Sequence, residues 1–254
     1  MKQDAGVLAL VGSGEYSPQM QEFESELLHR AISRGKKNRF IQIPTASSHE
    51  GSASRDKWQR LGREQAERIG SEWVYLPIHE REDAFNAEFV EEISDAGLIY
   101  FSGGDPHRIA DVFTDSPVWE AIVSAWQSGS SLAGCSAGAM ALGGTIMGIR
   151  RSHHSAGLGI VPGIEVIPHY DKMLGWLPER VTAFVLRPDA ETTLIGIDEN
   201  TALICTDKWQ SYGRGKIHTL RGELEISTEP FSIHSRSCTI AKNPWGSTRE
   251  IVTR

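Results

Sequence analysis

The chain has 254 residues, 39% of them hydrophobic and 23% charged, with a formal net charge of −7. This is an ordinary globular composition, and its acidic balance argues against a nucleic-acid partner. No apolar run approaches the ~18 residues of a membrane span, the opening residues lack a secretory pattern, and three widely spaced cysteines (Cys135, Cys205, Cys238) suggest neither a disulfide framework nor a zinc site, so a reducing cytoplasm is the expected location.

Strand and helix signals alternate over the first two hundred residues. Residues 7–11 read as a buried strand that ends at Gly12-Ser13-Gly14-Glu15. Residues 18–34 read as a helix, with Met20, Phe23, Leu27 and Ala31 on one stripe. A second strand over 40–44 runs into a polar loop over 45–49. A charged helix follows, with Trp58, Leu61 and Ile69 on its buried side, and then a short strand over 73–76. Phe89, Val90 and Ile93 mark the next helix; Val118, Ile122, Ala125 and Trp126 mark a later one. This β-α-β-α order predicts an α/β fold, a doubly wound and mostly parallel sheet with helices on both faces. Beyond Gly196, short strands over 201–206, 210–212, 216–220 and 223–226 predict an antiparallel extension. With no linker or repeat in between, residues 1–254 read as a single domain, and about 201–240 as its β-rich extension.

The pentapeptide Gly134-Cys135-Ser136-Ala137-Gly138 follows an apolar segment and leads into a helix-forming run. Strand, tight turn and helix make up the context of a nucleophile elbow, in which a strained central residue lifts its Oγ above the sheet edge. A glycine-rich connection that merely contains serine is the alternative. Residues 98–105 end a second strand at Gly103-Gly104-Asp105. Glycine amides there can face a ligand and, with the Ala137 amide, form an oxyanion hole. The same residues also suit a plain helix start, with Asp105 as N-cap and Pro106 at the first helical position. Ligands of such sheets bind at the carboxyl ends of the strands, where both motifs stand.

A serine nucleophile needs a base. Of nine histidines, His169 is best placed, because it ends an apolar strand over 164–168 and so is expected at the same carboxyl edge. His153 and His154 lie in a Gly/Ser-rich loop and read as solvated or substrate-facing. Glu15 could reach the site and bind a substrate amine, and Cys135, one residue before the turn's apex, is expected to point into the core.

Taken together, Phe101-Ser102-Gly103-Gly104-Asp105, Gly134-Cys135-Ser136-Ala137-Gly138-Ala139, Pro168-His169-Tyr170 and Gly196-Ile197-Asp198-Glu199 resemble the S51 serine peptidases, which include dipeptidase E and the cyanophycinases. The resemblance runs from about residue 7 to about 220. It implies a class I glutamine amidotransferase-like fold, no cofactor, and hydrolysis of small peptides bearing acidic (Asp or β-Asp) residues. It also implies Ser136 as nucleophile, His169 as base, and Gly104 and Ala137 as oxyanion donors. Glu199 matches the acid of the cyanophycinase-like pattern. Asp171, two residues past the histidine, resembles the amidotransferase arrangement and is the reserve. The dipeptidase E pattern has an aspartate fifteen residues after the serine, where this chain has Arg151. Gly103, Asp105, Glu15, Arg151 and Arg180 are the candidate substrate contacts.

Cyanophycinases share a glutamine where Pro106 stands here, and an arginine-rich stretch where Met173-Leu174-Gly175-Trp176 stands, which points away from cyanophycin as the substrate. A non-peptidase serine hydrolase such as an esterase, and a catalytically silent binding domain, are the competing readings. No metal, nucleic acid or membrane is expected, and an edge strand leaves a homodimer open.

Overall fold

The computed structural model describes residues 5–148, 154–173, 192–233 and 249–250. The chain opens with β1 (Leu8–Val11), α1 (Gln21–Ile32), β2 (Arg39–Ile43), α2 (Ser52–Ile69) and β3 (Glu72–Tyr75). Next come α3 (Ala87–Ser94), β4 (Leu98–Phe101), α4 (Pro106–Phe113), α5 (Pro117–Gln127), β5 (Ser131–Cys135) and α6 (Ala137–Leu142). Two two-residue strands, β6 (Thr145–Ile146) and β7 (Ser155–Ala156), precede β8 (Ile164–Ile167) and α7 (Tyr170–Met173). The later strands are β9 (Thr193–Ile197), β10 (Thr201–Cys205), β11 (Trp209–Gly213), β12 (Ile217–Arg221) and β13 (Arg249–Glu250).

The main sheet has the order β11-β10-β1-β5-β4-β2-β3-β13. It is parallel from β1 to β13, whereas β10 pairs antiparallel with both β1 and β11. Because side chains alternate along a strand, its residues feed two cores. Leu8, Leu10, Ile41, Ile99, Phe101 and Leu132 pack with α3 to α6. Val7, Ala9, Val11, Phe40, Leu98, Tyr100 and Ala133 pack with α1 and α2. Helices therefore cover both faces, as the continuous apolar strands predict.

The structure differs from the sequence expectation in three places. The strand that leads to His169 is outside the main sheet: β8, β9 and β12 form a separate three-stranded sheet, β8 parallel and β12 antiparallel to β9. The segment after Gly196 divides, with β10 and β11 completing the main sheet beside β1 and only β12 joining the small one. Residues 223–226 form no strand; Ile226 makes a single bridge to Trp209.

The two sheets meet at the end of β1. The Gly12 N–H donates to the Thr201 carbonyl (2.9 Å), and the His169 N–H donates to the Gly12 carbonyl (3.3 Å). That junction draws the end of β8 to the carboxyl edge of the main sheet.

Candidate active site

Ser136 sits between β5 and α6 at φ 52° and ψ −107°, a backbone that L-residues rarely adopt. Its N–H donates to the Val11 carbonyl (2.9 Å), and its carbonyl accepts from the Met140 N–H (3.1 Å), so both of its peptide groups are tied down. The flanking glycines have a packing cause. A Cβ on Gly134 would lie 2.5 Å from the Gly138 carbonyl carbon, and one on Gly138 would lie 2.6 Å from the Phe101 carbonyl oxygen. It is the close passage of α6 over β4 and β5, more than the tightness of the turn, that excludes side chains.

His169 also has a positive φ, 49°. Its carbonyl accepts the Lys172 N–H (2.9 Å) and the Met173 N–H (2.8 Å), which turns the chain into α7. The ring reaches both neighbours: Nε2 lies 3.0 Å from Ser136 Oγ, and Nδ1 lies 3.1 Å from Glu199 Oε1. With a carboxylate at Nδ1, the neutral ring keeps its proton there and leaves Nε2 free to accept from a hydroxyl. Asp171, the reserve acid, accepts the Glu199 N–H through its Oδ1 (3.0 Å).

Three further side chains support this corner. Asp198 accepts the Lys216 N–H (2.8 Å) and pairs with His218 Nε2 (3.0 Å). His218 in turn lies on the Tyr170 ring, with centroids 4.6 Å apart. No local pattern singled out His218; the signal available was Asp198 inside the Gly196–Glu199 motif, though not its partner.

Gly104 carries φ +141°, and a Cβ there would stand 2.3 Å from the Ala46 carbonyl oxygen. The loop is held by the Asp105 N–H donating to that carbonyl (2.8 Å). Asp105 caps α4, accepting the His107 N–H at 3.0 Å, as its N-cap reading expects. Ala137 opens α6, where the first amides have no intrahelical acceptor.

Glu15, the candidate contact for a substrate amine, meets two donors of the protein itself. Its Oε1 accepts the Gly103 N–H (2.9 Å) and its Oε2 accepts the Cys135 S–H (2.8 Å), so both oxygens are held by protein donors. The same bond takes the Gly103 amide away from a ligand. Cys135 is fully buried, as expected; burial first, and then the Glu15 charge, push its thiol well above its ordinary value. Burial also pushes Glu24, behind Tyr16, up to about 8. His154 accepts the Gly148 N–H through Nδ1 (3.2 Å). Arg151, Arg180 and His153 lie outside the described residues.

The profile of peptidase family S51 matches residues 8–211. A cyanophycinase from Nostoc sp. is 28% identical over 233 residues, covering 83% of this chain and 76% of that one. A cyanophycinase from Thermosynechococcus vestitus is 26% identical over 252 residues, covering 91% of this chain and 75% of its own. The crystal structure of a peptidase from an acI-B1 Actinobacterium superposes with a TM-score of 0.83 at 48% identity, covering 87% of this chain and 93% of that one.

Proposed function

Because the chain belongs to peptidase family S51 and is a serine peptidase of that family, we propose that it hydrolyses small peptides carrying Asp or β-Asp residues through Ser136, His169 and Glu199. The observation that carries this reading is the unbroken path from Ser136 Oγ to His169 Nε2 (3.0 Å) and from His169 Nδ1 to Glu199 (3.1 Å), on a serine held in a strained elbow.

In this mechanism Ser136 Oγ attacks the peptide carbonyl carbon while His169 Nε2 takes its proton. Glu199 fixes the ring's tautomer and stabilises the imidazolium as it forms. The negative charge on the carbonyl oxygen is met by the Gly104 and Ala137 N–H groups. The C–N bond breaks as His169 returns the proton to the leaving amine. Water then attacks the acyl ester, giving its proton to His169, and the ester C–O bond breaks as His169 Nε2 passes that proton to Ser136 Oγ, which restores both residues. The preference for acidic residues rests on the family resemblance, and Pro106 in place of the shared glutamine supports a substrate other than cyanophycin.

A fluorophosphonate probe tests the chemistry. Wild type should label, Ser136→Ala should not, and His169→Ala should label far more slowly. A panel of Asp-Xaa and β-Asp peptides, with simple esters and cyanophycin alongside, tests the substrate class. Ester turnover with every peptide left intact would replace the peptidase reading with an esterase. A folded wild type that neither labels nor turns over any substrate would count against Ser136 as a nucleophile.

A further inference from the structure

Glu15 joins two segments that the proposed chemistry needs to keep in register. One is the Gly103-Gly104 turn after β4; the other is the Cys135-Ser136-Ala137 turn after β5. A single carboxylate accepts from Gly103 N–H on one side and from Cys135 S–H on the other, at 2.9 and 2.8 Å. The proposed oxyanion donors, Gly104 and Ala137, are respectively one and two residues beyond those contacts. We propose that Glu15 is a positioning residue, a clamp that sets the gap between the Gly104 and Ala137 amides, and not a substrate ligand. The inference rests on the Ser136 reading above.

The support for Glu15 is itself rigid. Tyr16, the next residue, is buried, and its ring packs against Phe40, Trp58 and Tyr100. Its N–H donates to Glu24 Oε1 (3.2 Å), and its carbonyl accepts from Arg68 Nη2 (2.6 Å). Gln65 Nε2 reaches Glu24 Oε2 (2.6 Å) and Gln65 Oε1 accepts from Arg68 Nε (2.7 Å), which closes a loop of polar bonds behind the clamp. The clamp works only while Cys135 remains a thiol, because a thiolate has no proton to donate. Burial and the neighbouring carboxylate both hold it in that form. The residue before the proposed nucleophile therefore acts as a hydrogen-bond donor and not as a second nucleophile.

An oxyanion hole works through placement: losing one donor outright costs about 10²–10³ in rate. Loosening the gap should cost less than losing a donor, and should act on the transition state while leaving ground-state binding alone. The test compares Glu15→Gln, Glu15→Ala, Cys135→Ser and Cys135→Ala by kcat, KM and fluorophosphonate labelling, on the best peptide of the panel, with thermal melts alongside. Glu15→Gln is expected to lower kcat about tenfold, and Glu15→Ala by somewhat more, with KM within about twofold of wild type. Cys135→Ser keeps an O–H donor and should stay close to wild type, whereas Cys135→Ala should lose several-fold. Combining Glu15→Ala with Cys135→Ala should cost little more than Glu15→Ala alone, because both remove the same contact.

Undiminished kcat in Glu15→Gln and Cys135→Ala overturns the clamp, and so does a raised KM at constant kcat, the signature of a substrate contact. If Glu15→Ala does not fold, the Glu15→Gln and Cys135 variants carry the test. A wild type that does not label overturns the Ser136 reading and the clamp together. A labelled, active wild type with indifferent Glu15 variants overturns the clamp alone.

Discussion

Ser136 stands between β5 and α6, whose residues are all buried, whereas His169 and Glu199 stand beyond β8 and β9 with side chains 37% and 34% exposed. The first region is held by close packing between backbones, with glycines at Gly134 and Gly138 admitting the contact. The second is held by polar bonds: Asp171 to the Glu199 amide, Asp198 to His218, and Gly12 to His169. Substitutions of the glycines that pack the Ser136 turn should thus act through the folding of the core. Those on the His169 side should act on rate while leaving the melting curve almost unchanged.

Glu199→Gln should produce the largest effect. It keeps the shape of the side chain, removes the charge that stabilises an imidazolium, and offers an NH2 that favours the wrong tautomer. A loss of about 10²–10⁴ in kcat is expected. At a site this exposed, stability should move by less than about 0.5 kcal/mol. Kinetics and a urea melt on one preparation check both halves. A large loss of stability at Glu199 would break the contrast between the two regions.

The next effect belongs to the buried side and depends on pH. Burial raises Glu24 from 4.5 to about 8. Below pH 4.5 the folded and unfolded chains both hold the proton, and the contribution of Glu24 to stability is fully present. As pH rises toward 8 the unfolded chain releases its proton while the folded chain keeps it. Stability then falls by at most about 1.4 kcal/mol per pH unit and levels off above the folded value. Glu24→Gln cannot titrate and should flatten that slope, which urea midpoints at several pH values would measure. An unchanged slope would mean that some other group sets it.

Gly138→Ala comes third. Its new Cβ would meet the Phe101 carbonyl oxygen at 2.6 Å, a backbone atom that cannot swing aside. A loss of about 1–3 kcal/mol is expected from this overpacking, with a loss of activity because α6 carries the turn at Ser136. A variant as stable as wild type would show that α6 can shift, and would place less of the burden of positioning Ser136 on packing.

The legibility of the sequence follows the same division. β1 and β4 are runs of apolar residues buried on both faces, and β2 and β5 are apolar apart from Arg39, Gln42 and Ser131; such runs are visible without knowing their partners. The Gly134–Gly138 turn was legible for the same reason, since strand, glycines and helix are contiguous. The allocation of strands was not. The run over 164–167 is as buried as the strands of the main sheet, with Glu165 its one charged residue, yet it pairs with β9 at a distance that local periodicity does not encode. Glu15 is a sharper case. Its residue type and its place after β1 were visible, but both of its partners lie about ninety or more residues away, at Gly103 and Cys135, so its side chain read as free to meet substrate.

Asp171→Ala should have the smallest effect, and it divides the two carboxylates that the sequence left in competition. Asp171 accepts only the backbone N–H of Glu199 among the described contacts, whereas Glu199 meets the ring of His169. Removing that acceptor frees an amide which water can satisfy, because Glu199 is about a third exposed. The cost is then one hydrogen bond's net contribution, about 0.5–1.5 kcal/mol, felt as a looser Glu199 and a two- to tenfold fall in kcat. Asp171→Ala in a Glu199→Gln background should cost less than it does alone, since the residue it positions has already lost its charge. If Asp171→Ala instead lost as much as Glu199→Gln, the histidine would take its carboxylate from α7, and the polar corner of the small sheet would be its buttress only.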